Sequence, residues 1–357
     1  MKTYVLTFHG SCNFGAVFQA FALFRAIRKY GVQCEVIDYN RILHHRNFLR
    51  FAKGSLKGFL YQLFRWPGKY WLHLRINDFV KRNMVLTRKS YNGSKAMKEG
   101  VFPENCRYIV GSDQVWNYEM TGEDLHYFLD FTDSPRKYSY ASSFGRDVIP
   151  AAEYAAYREF LTKFVKIGVR EEFSAEHLRK MGMHGEIVCD PVFLLEREEW
   201  SDMARAAKKL PSYVVIFIFW NDPELIAAAR KFSEENGCRI INLVYTTVVP
   251  GCRNVFFLSP EKWLGLMKNA KAVFTNSFHG FAFSLIFRRN VWCGLTPGGR
   301  NGRILDIARR YHVESRILSP QNGFAADEID YDAVSSRIAE DRKHSLGYLE
   351  TVLHDGE

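Results

Sequence analysis

The chain has 357 residues, of which 47% are hydrophobic and 25% are charged, and its formal net charge is +10. This length accommodates two domains, and the composition is that of a globular protein. The seven cysteines are scattered without a CxxC pair, which argues against a disulfide framework or a structural zinc site. The apolar run at the N-terminus is too short for a signal peptide, and no apolar run is long enough to cross a bilayer. We therefore expect a cytoplasmic protein without a membrane span.

The excess positive charge is concentrated in one segment. Between Arg41 and Lys89 the sequence has twelve Lys or Arg residues and one acidic residue, Asp78, whereas the remainder is close to neutral. Aromatic residues are interleaved with these charges. Basic aromatic stretches attach to anionic membranes, so we interpret residues 41–90 as an insertion that docks peripherally at the inner face of the plasma membrane. The alternative is a solvated helical face whose aromatic residues belong to the core. No nucleic-acid motif is visible, and we expect no nucleic-acid partner.

The N-terminal elements predict a βαβ unit. A β-rich run at residues 3–8 is followed by a glycine-containing turn, an apolar helical pattern at 16–30 and a strand at 34–38. Such an opening implies a parallel sheet. Further strands are predicted at residues 107–110, 137–141, 167–169 and 186–188, and further helices at 151–164 and 174–181.

A second alternation of strands and helices follows residue 211. The pattern predicts strands at 213–220, 239–243 and 272–275, with helices at 223–235, 260–269, 279–287, 303–311 and 331–352. The predicted fold class is α/β, with two Rossmann-like domains that face a central cleft and a hinge near 200–211. We place the domains at residues 1–205 and 206–325, followed by a C-terminal helical segment at 326–357. Ligands of such folds bind at the carboxyl ends of strands, beside helix N-termini.

The candidate reaction centre follows the strand at 272–275. This apolar strand runs into Asn276, Ser277, His279 and Gly280, after which an amphipathic helix begins. The sequence would place an imidazole, a hydroxyl and free backbone N–H groups at a positive helix end, which suits an anionic ligand. Histidine can also exchange protons near neutral pH. The alternative is that Ser277 merely caps the helix and His279 is a core histidine.

A polar turn also opens the first helix. Asn13 and Gly15 lie at the start of the helical pattern. Backbone groups at such a position are compatible with a site for an anion or a sugar. The alternative is a tight turn in which Asn13 caps the helix. The spacing is not GxGxxG, so a dinucleotide site has little support.

The loop at residues 111–117 resembles a surface that faces carbohydrate. It combines a carboxylate, amides, a hydroxyl and an indole after an apolar strand, and Asp113 could accept a proton from a sugar hydroxyl. Alternatively, Asp113 caps a helix while Trp116 packs beneath it. The candidate acceptor-binding side chains of this loop are Ser112, Gln114, Trp116 and Asn117.

Three arginines are candidate ligands for an anion. Arg170 stands at a predicted strand end, and Arg300 and Arg303 lie in or beside a glycine-rich loop. Their planar guanidinium groups suit carboxylate or phosphate. The alternatives are an internal ion pair of Arg170 with Glu171 or Glu172, and an ordinary surface turn around Arg300. No metal site is indicated, since a single acid such as Asp113 is insufficient for one.

Together these motifs resemble the polysaccharide pyruvyl transferase family. They occur in family order over residues 3–310, and the runs GSDQVWN at 111–117 and SFHG at 277–280 are the most specific. The other matching runs are NFGAVFQA at 13–20, YASSFG at 140–145, VREE at 169–172, DP at 190–191 and NGRI at 301–304.

The resemblance implies a fold like that of the GT-B glycosyltransferases, with phosphoenolpyruvate as the co-substrate and no bound cofactor. Members place pyruvate as a ketal across two hydroxyls of a sugar in a surface polysaccharide. For this chain we expect the acceptor to be such a polysaccharide or its lipid-linked precursor. We expect His279 to be the general acid or to stabilise the phosphate, and Asp113 to be the base toward the acceptor. The donor would bind through Arg170, Arg303, Arg300, Asn276, Ser277 and Gly280, all of which except Arg170 lie in the C-terminal domain. The N-terminal domain would bind the acceptor through Asn13, Gly15 and the side chains of the 111–117 loop.

One departure from the family pattern affects the donor site. Some members have Arg-Leu-His-Gly where this chain has Ser277-Phe278-His279-Gly280, so their donor-binding arginine is absent. We expect Arg303 or Arg300 to replace it. Two other functions remain open from the sequence. One is a GT-B glycosyltransferase that uses a nucleotide sugar, and the other is a non-catalytic glycan-binding protein at the membrane surface.

Overall fold

The structure, a computed structural model, describes residues 1–40, 56–205, 210–245, 247–296, 301–318 and 328–355. It divides into two compact units, of which the first is formed by two separate segments of the chain and the second by one. Unit 1 comprises Met1–Leu194 and Arg342–Glu357, and unit 2 comprises Leu195–Asp341. The sequence-based boundaries at 205 and 325 differ from this division, and the separately assigned segment 326–357 is shared between the two units.

Unit 1 is built on a six-stranded parallel sheet with the order β2-β1-β5-β6-β7-β8. A parallel sheet covered on both faces requires apolar side chains on both sides of its strands, and β5 and β6 are buried at every position. A separate pair of short parallel strands, β3 and β4, lies beyond β2 in the chain. The strands are β1 (Thr3–Leu6), β2 (Cys34–Val36), β3 (Tyr39–Asn40), β4 (Tyr91–Asn92), β5 (Arg107–Val110), β6 (Lys137–Ser142), β7 (Lys166–Val169) and β8 (Glu186–Ile187).

The first helix of unit 1 is buried along most of its length. Helix α1 (Phe14–Lys29) begins where the side chain of Asn13 accepts a hydrogen bond from the backbone N–H of Gly15. It ends in the basic pair Arg28 and Lys29, which suits the negative end of the helix dipole. The other helices of this unit are α2 (Leu56–Asn83), α3 (Ser94–Lys98), α4 (Tyr118–Thr121), α5 (Ala151–Leu161) and α6 (Glu172–Lys180), with 3-10 helices at Leu125–Phe128 and Pro191–Phe193.

Unit 2 repeats the architecture with five parallel strands in the order β11-β10-β9-β12-β13. Its strands are β9 (Tyr213–Phe217), β10 (Arg239–Leu243), β11 (Arg253–Val255), β12 (Ala272–Thr275) and β13 (Asn290–Cys293). Its helices are α7 (Arg197–Met203), α8 (Pro223–Glu235), α9 (Pro260–Lys268), α10 (Phe278–Ile286) and α11 (Gly302–Arg310), with a 3-10 helix at Glu314–Arg316.

The last helix, α12 (Tyr331–His354), explains why the boundaries predicted from the sequence differ from the observed ones. Its first half belongs to unit 2, where Asp341 accepts a hydrogen bond from Tyr311 at 2.8 Å. Its second half belongs to unit 1, where Ser345 accepts a hydrogen bond from the backbone N–H of Cys189 and Tyr348 donates one to the carbonyl of Ser139. These long-range contacts leave no signal in local sequence.

Each sheet contains a point at which the strand order reverses. In unit 1 the reversal falls between β1 and β5, and in unit 2 between β9 and β12. The connections on either side of such a point leave toward opposite faces, which opens a crevice at the carboxyl ends of the two strands. The runs at 111–117 and 277–280 follow β5 and β12 directly, so both lie at these positions.

The predicted α/β class with two Rossmann-like domains is confirmed. The strands at 107–110, 239–243 and 272–275 and the helix at 223–235 have the predicted bounds, and most others differ by one to three residues at an end. The short strands β3, β4, β11 and β13 were not predicted from the sequence. Of the basic insertion, residues 41–55 lie outside the described residues, and 56–83 form helix α2.

Substitution of two glycines near Tyr348 tests how α12 packs in unit 1. A Cβ at Gly168 would lie 2.9 Å from the carbonyl oxygen of Ser139 and 2.7 Å from the Tyr348 ring, whereas a Cβ at Gly347 would meet no atom within 4 Å. Gly168→Ala should therefore lower the free energy of unfolding by about 1–3 kcal/mol. The matched change Gly347→Ala in the helix should leave it unchanged or raise it by up to about 1 kcal/mol. Urea denaturation of the two variants measures both effects, and equal stabilities would contradict the packing described.

Candidate functional site

Hydroxyl groups shape the turn between β12 and α10 in unit 2. Thr275 Oγ1 donates a hydrogen bond to the carbonyl of Phe217 at 2.6 Å and accepts one from the backbone N–H of Ser277 at 3.1 Å. The Ser277 hydroxyl in turn accepts a hydrogen bond from the backbone N–H of Gly280 at 3.3 Å. The capping role that the sequence left open for Ser277 is therefore present.

Asn276 joins the ends of the two central strands of unit 2. Its Oδ1 accepts a hydrogen bond from the backbone N–H of Phe219 at 2.8 Å, and its Nδ2 donates one to the carbonyl of Trp220 at 3.2 Å. Asn276 was predicted to bind the donor, but both polar atoms of its amide have partners within the protein. The side chain holds the loop after β9 against the loop after β12.

Gly280 allows helix α10 to begin in contact with the strand before it. A Cβ at this position would lie 2.3 Å from Thr275 Oγ1 and 3.0 Å from the ring of Phe217. Any larger residue would therefore push the helix start away from the strand ends. The glycine of the SFHG run is required by packing, and it brings the first turn of the helix close to the sheet edge.

His279 lies in the first turn of α10. It is buried, with 7% of its surface exposed, and the ring of Phe278 lies against it at 5.0 Å in an edge-to-face geometry. The N-terminal turn of a helix carries a partial positive charge and backbone N–H groups that suit an anion. The structure therefore places His279 at a helix N-terminus, as the sequence predicted.

Three helices of unit 2 begin at the same edge of the sheet. Helices α8, α10 and α11 follow the neighbouring strands β9, β12 and β13, and parallel strands have their carboxyl ends on one side. Arg303 occupies the first turn of α11 and is half-buried. Arg300, the other predicted donor ligand of this loop, lies outside the described residues. Three positive helix ends and Arg303 make this edge suited to an anion that carries more than one charge.

Asp222 is a site residue that sequence reasoning missed. Its carboxylate caps α8 by accepting a hydrogen bond from the backbone N–H of Leu225 at 3.0 Å, and it lies against Gly294 at the end of β13. Burial raises the pKa of Asp222, despite that hydrogen bond and another from Asn276. The available signal was the pair Asp222-Pro223, which is typical of a helix start.

The corresponding edge of unit 1 is held by Gln19. Its Nε2 donates hydrogen bonds to Thr7 Oγ1 at 2.9 Å and to the carbonyl of Ala16 at 2.7 Å, and its Oε1 accepts one from the backbone N–H of Ser112. Gln19 thereby joins the segments that follow β1 and β5. It belongs to the motif at 13–20 but was not among the predicted site residues.

The predicted acceptor residues near α1 have structural roles in this network. Asn13 caps α1 through its side-chain oxygen, as the alternative interpretation of this turn proposed, and Gly15 is buried in the first turn of the helix. Ser112 is fully buried, and a cis peptide bond joins it to Gly111. Acceptor binding by these three residues stays a prediction.

The loop after β5 places Asp113 in an unusual backbone conformation. Its φ is 72°, a left-handed region that non-glycine residues rarely adopt, and its carboxylate accepts a hydrogen bond from the backbone N–H of Gln114 at 2.9 Å. The loop packs tightly, since a Cβ at Gly145 would lie 2.1 Å from the Gln114 side chain and 2.7 Å from Asn117. Asp113 and Asn117 are buried and Gln114 is half-buried, so Gln114 offers the most accessible polar group of this loop.

The assignment of Trp116 to acceptor binding is corrected by the structure. Its indole is fully buried, Nε1 donates a hydrogen bond to the carbonyl of Tyr127 at 3.0 Å, and the rings of Phe144 and Phe128 lie against it at 5.3 and 6.0 Å. A sugar cannot stack on a ring whose faces are covered by the protein. Trp116 packs beneath the loop, as the alternative interpretation proposed.

Arg170 lies in a buried ion-pair cluster of unit 1. It donates to Glu171 at 2.6 Å and to Asp190 at 2.8 Å, and its guanidinium lies 3.8 Å from Asp113. Burial acts to lower the pKa of Arg170, but the charges of Glu171, Asp190 and Asp113 outweigh it and raise that pKa. Arginine neutralised by carboxylates is poorly suited to bind an anionic donor. The geometry favours the internal ion pair over the donor-binding role predicted for Arg170.

His9 and Asp38 form a second pair that the sequence reading passed over. His9 follows β1, is 2% exposed, and its Nε2 lies 3.2 Å from Asp38 Oδ1. Burial acts to raise the pKa of Asp38, but hydrogen bonds with His9, Ser90 and Asn40 bring it below its usual value. A histidine directly after the first strand was the available signal. Among the described residues no three His, Cys, Asp or Glu side chains form a group suited to a metal ion.

The fold has known counterparts. The chain superimposes over 100% of its length on 98% of a putative UDP-N-acetylglucosamine 2-epimerase from Listeria monocytogenes, with a TM-score of 0.50 and 8% identity. The apo structure of OtsA matches with a TM-score of 0.51 and 10% identity, covering 99% of each chain. At these identities the likeness concerns the fold alone. The class so defined is a GT-B-like α/β protein with two Rossmann-like domains.

The sequence model of the polysaccharide pyruvyl transferase family matches residues 13–293. The chain therefore belongs to the polysaccharide pyruvyl transferase family, a transferase family that acts on polysaccharide. No curated protein matches the chain. Over the part of the chain that the structure describes, no helix has the length and apolarity needed to cross a membrane.

Replacement of Arg170 separates a structural role from ligand binding. Arg170→Met leaves buried carboxylates without their cation, which should lower the free energy of unfolding at neutral pH by about 3–5 kcal/mol. Uncompensated buried carboxylates bind protons more readily in the folded than in the unfolded state, so stability should partly recover as the pH is lowered. Arg179→Met removes an exposed partner of Glu172 and should change stability by less than about 0.5 kcal/mol. Denaturation at several pH values checks this, and a stable Arg170→Met protein would contradict the cluster's structural role.

Proposed function

We propose that this protein transfers the pyruvyl group of phosphoenolpyruvate to a sugar of a surface polysaccharide, or of its lipid-linked precursor, and forms a pyruvate ketal. One observation carries the proposal beyond family membership. A buried histidine, His279, lies where three helix N-termini and Arg303 occupy one edge of the sheet of unit 2. Phosphoenolpyruvate carries a phosphate and a carboxylate, and this edge supplies backbone N–H groups, a guanidinium and an imidazole for them.

Arg303 takes the place of the arginine that some family members have within the His-Gly motif. It lies in the first turn of α11, the helix that follows the strand paired with β12. Arg170 is engaged by carboxylates in unit 1, which leaves Arg303 the better supported donor ligand. Arg300 remains a second candidate from the sequence. The Gly280 turn contributes its backbone, whereas Asn276 and Ser277 position that turn.

The proposed reaction balances without a redox partner. A proton is added to the methylene carbon of phosphoenolpyruvate, one sugar hydroxyl attacks the central carbon, phosphate leaves, and a second hydroxyl closes the ketal. Of the two hydroxyl protons, one ends on the new methyl group and the other leaves with phosphate. His279 would protonate the methylene carbon or stabilise the departing phosphate, and the helix ends would hold its charge. No bound cofactor is required.

On the acceptor side, Asp113 is the proposed base. Its left-handed backbone and packed loop fix the carboxylate at the carboxyl end of β5, and a fixed position is what a base for one particular hydroxyl needs. Gln114 and Asn13 are the half-buried polar residues of this edge that could contact a sugar. We place the reaction in the cytoplasm, where phosphoenolpyruvate is made.

The donor is identified by a direct comparison. Purified protein is incubated with a lipid-linked glycan and either phosphoenolpyruvate or a nucleotide sugar, and the glycan is analysed by mass spectrometry. A pyruvate ketal together with released inorganic phosphate supports the proposal. Transfer of a hexose from the nucleotide sugar would instead identify a glycosyltransferase. Binding of the glycan without any modification would indicate a non-catalytic protein.

His279→Ala should reduce pyruvyl transfer by at least about 100-fold, because removing a general acid typically costs two to four orders of magnitude. His184→Ala, which changes an exposed histidine of unit 1, should retain full activity. Phosphate release and ketal formation are measured for both, with circular dichroism to verify that each variant is folded. Full turnover by a folded His279→Ala protein would rule out the proposed centre.

We further propose that helix α2 attaches the protein to an anionic membrane surface. One face of this helix is buried through Ile76, Phe79 and Val80, whereas Tyr70, Trp71, Leu74 and Arg75 are exposed. Exposed large apolar side chains beside basic residues are typical of peripheral membrane attachment, and lipid-linked acceptors would be reached there. The exposed fractions, 49% for Tyr70 and 58% for Trp71, argue against the alternative that all aromatic residues of this segment belong to the core.

The double variant Trp71→Ala/Leu74→Ser should reduce co-sedimentation with anionic liposomes by about tenfold, since it removes apolar groups worth about 1.5 kcal/mol or more when buried. Val101→Ser alters an 89% exposed apolar residue of the same unit and should have no effect. Binding should also weaken with added salt. Equal binding by all three proteins, independent of salt, would contradict attachment through this face.

A further inference from the structure

Unit 1 contains a serine, a histidine and an aspartate in hydrogen-bonded succession on elements that the proposed transfer does not use. Ser94 is the first residue of α3, His126 lies in the 3-10 helix Leu125–Phe128, and Asp130 follows that helix. Ser94 Oγ lies 2.9 Å from His126 Nε2, and His126 Nδ1 lies 2.5 Å from Asp130 Oδ1. Each end of the imidazole therefore has a different partner.

The three residues differ in accessibility in the way that a nucleophile and its base require. Ser94 is exposed, His126 is 1% exposed, and the side chain of Asp130 is 19% exposed. Ser94 lines a cavity of about 370 Å³, whose wall also includes Tyr39, Lys98 and Glu123. A small molecule in this cavity can reach the serine, whereas the imidazole is shielded from water.

The surroundings fix the orientation of the imidazole. Asp124 accepts a hydrogen bond from the backbone N–H of His126 at 3.2 Å and one from the Tyr39 hydroxyl at 2.6 Å. The ring of Tyr39 lies edge-on to the imidazole at 5.6 Å. Burial acts to lower the pKa of His126, but Asp130 and Asp124 outweigh it and raise that pKa. When neutral, His126 donates from Nδ1 to Asp130, and Nε2 can then accept the Ser94 proton.

We infer that Ser94, His126 and Asp130 form a second catalytic site, which cleaves carboxylic esters of short acyl groups. Nucleophilic serine hydrolysis requires a hydroxyl within hydrogen-bond distance of a base, and a third group that orients the base. The order of contacts in this cluster meets both requirements. The polar, charged wall of the cavity favours an ester whose alcohol part is itself polar. This inference does not depend on the proposed pyruvyl transfer.

The reaction balances with water as the only co-reactant. Ser94 Oγ attacks the ester carbonyl carbon while its proton moves to His126 Nε2, and the alcohol departs with that proton. Water then attacks the acyl-serine ester, again giving up a proton to His126, and the carboxylic acid leaves as Ser94 recovers its hydrogen. Asp130 is a positioning residue, since it orients the imidazole and stabilises its charged form.

If the three residues have only a structural role, a different experimental result is expected. His126 Nε2 also lies 3.2 Å from the backbone carbonyl of Ser94, so the imidazole could serve only to hold α3 against the 3-10 helix. In that case Ser94 would have ordinary hydroxyl reactivity. Replacing it would then alter stability slightly and leave chemical labelling unchanged.

The test treats the full-length protein with a fluorophosphonate probe and, separately, with p-nitrophenyl acetate. Mass spectrometry should find one probe per chain, on Ser94, and hydrolysis of the acetate should continue over many turnovers. Ser94→Ala should abolish both, whereas Ser90→Ala, an exposed nearby serine without a histidine partner, should retain both. Labelling at another residue, or absence of labelling and turnover in the wild-type protein, would overturn the inference.

Two further variants examine the base and its positioning residue. His126→Gln should slow labelling by at least about 100-fold. Asp130→Asn should lower the maximal rate and move the acidic limb of the pH–rate profile to lower pH, because the charge that raises the pKa of His126 is lost while Asp124, Lys98 and Glu123 remain. If the His126 variant fails to fold, the exposed Ser94→Ala change and the Asp130→Asn profile still decide the matter. An unchanged profile in Asp130→Asn would refute the assigned role of Asp130.

Discussion

The architecture of both candidate edges depends on one kind of interaction, an amide side chain that joins two parallel strands where their order reverses. Gln19 does this in unit 1 and Asn276 in unit 2. Parallel strands end at a common edge with unpaired backbone groups, and buried polar groups of this kind must find partners. An amide offers both a donor and an acceptor, so one side chain can satisfy loops from both strands. The amide groups of Gln19 and Asn276 are therefore not available to a ligand. Any ligand at these edges must be bound by neighbouring residues.

The two units differ in the charges that lie at these sheet edges. In unit 1 the buried guanidinium of Arg170 is surrounded by the three carboxylates of Asp113, Glu171 and Asp190, so this edge presents no free positive charge from Arg170. In unit 2 the helix starts and Arg303 lie at the same edge as the imidazole of His279 and the carboxyl of Asp222, and burial raises the pKa of Asp222. The contrast agrees with an anionic donor at unit 2 and a neutral sugar at unit 1. This difference in charge follows from local packing within each unit.

The strand and helix pattern was predictable because buried parallel strands and amphipathic helices have clear periodicities, and the location of His279 followed from the strand–turn–helix sequence around it. The roles of individual side chains were less predictable. Tryptophan and arginine are residue types that often bind ligands. In this structure, however, Trp116 lies in an aromatic core and Arg170 lies in an ion-pair cluster. Burial of this kind is decided by residues distant in sequence, such as Phe144 and Asp190. His126, paired across 32 positions with Ser94, was invisible for the same reason.

The shared last helix has a consequence for the order in which the chain acquires its structure. Unit 1 begins at the first residue but needs Ser345 and Tyr348, near the C-terminus, to satisfy Cys189 and to cover Gly168. During synthesis all of unit 2 therefore emerges from the ribosome before unit 1 can be completed. Until then, any sheet already formed in unit 1 has part of its surface uncovered, and chaperones recognise incompletely packed intermediates of this kind.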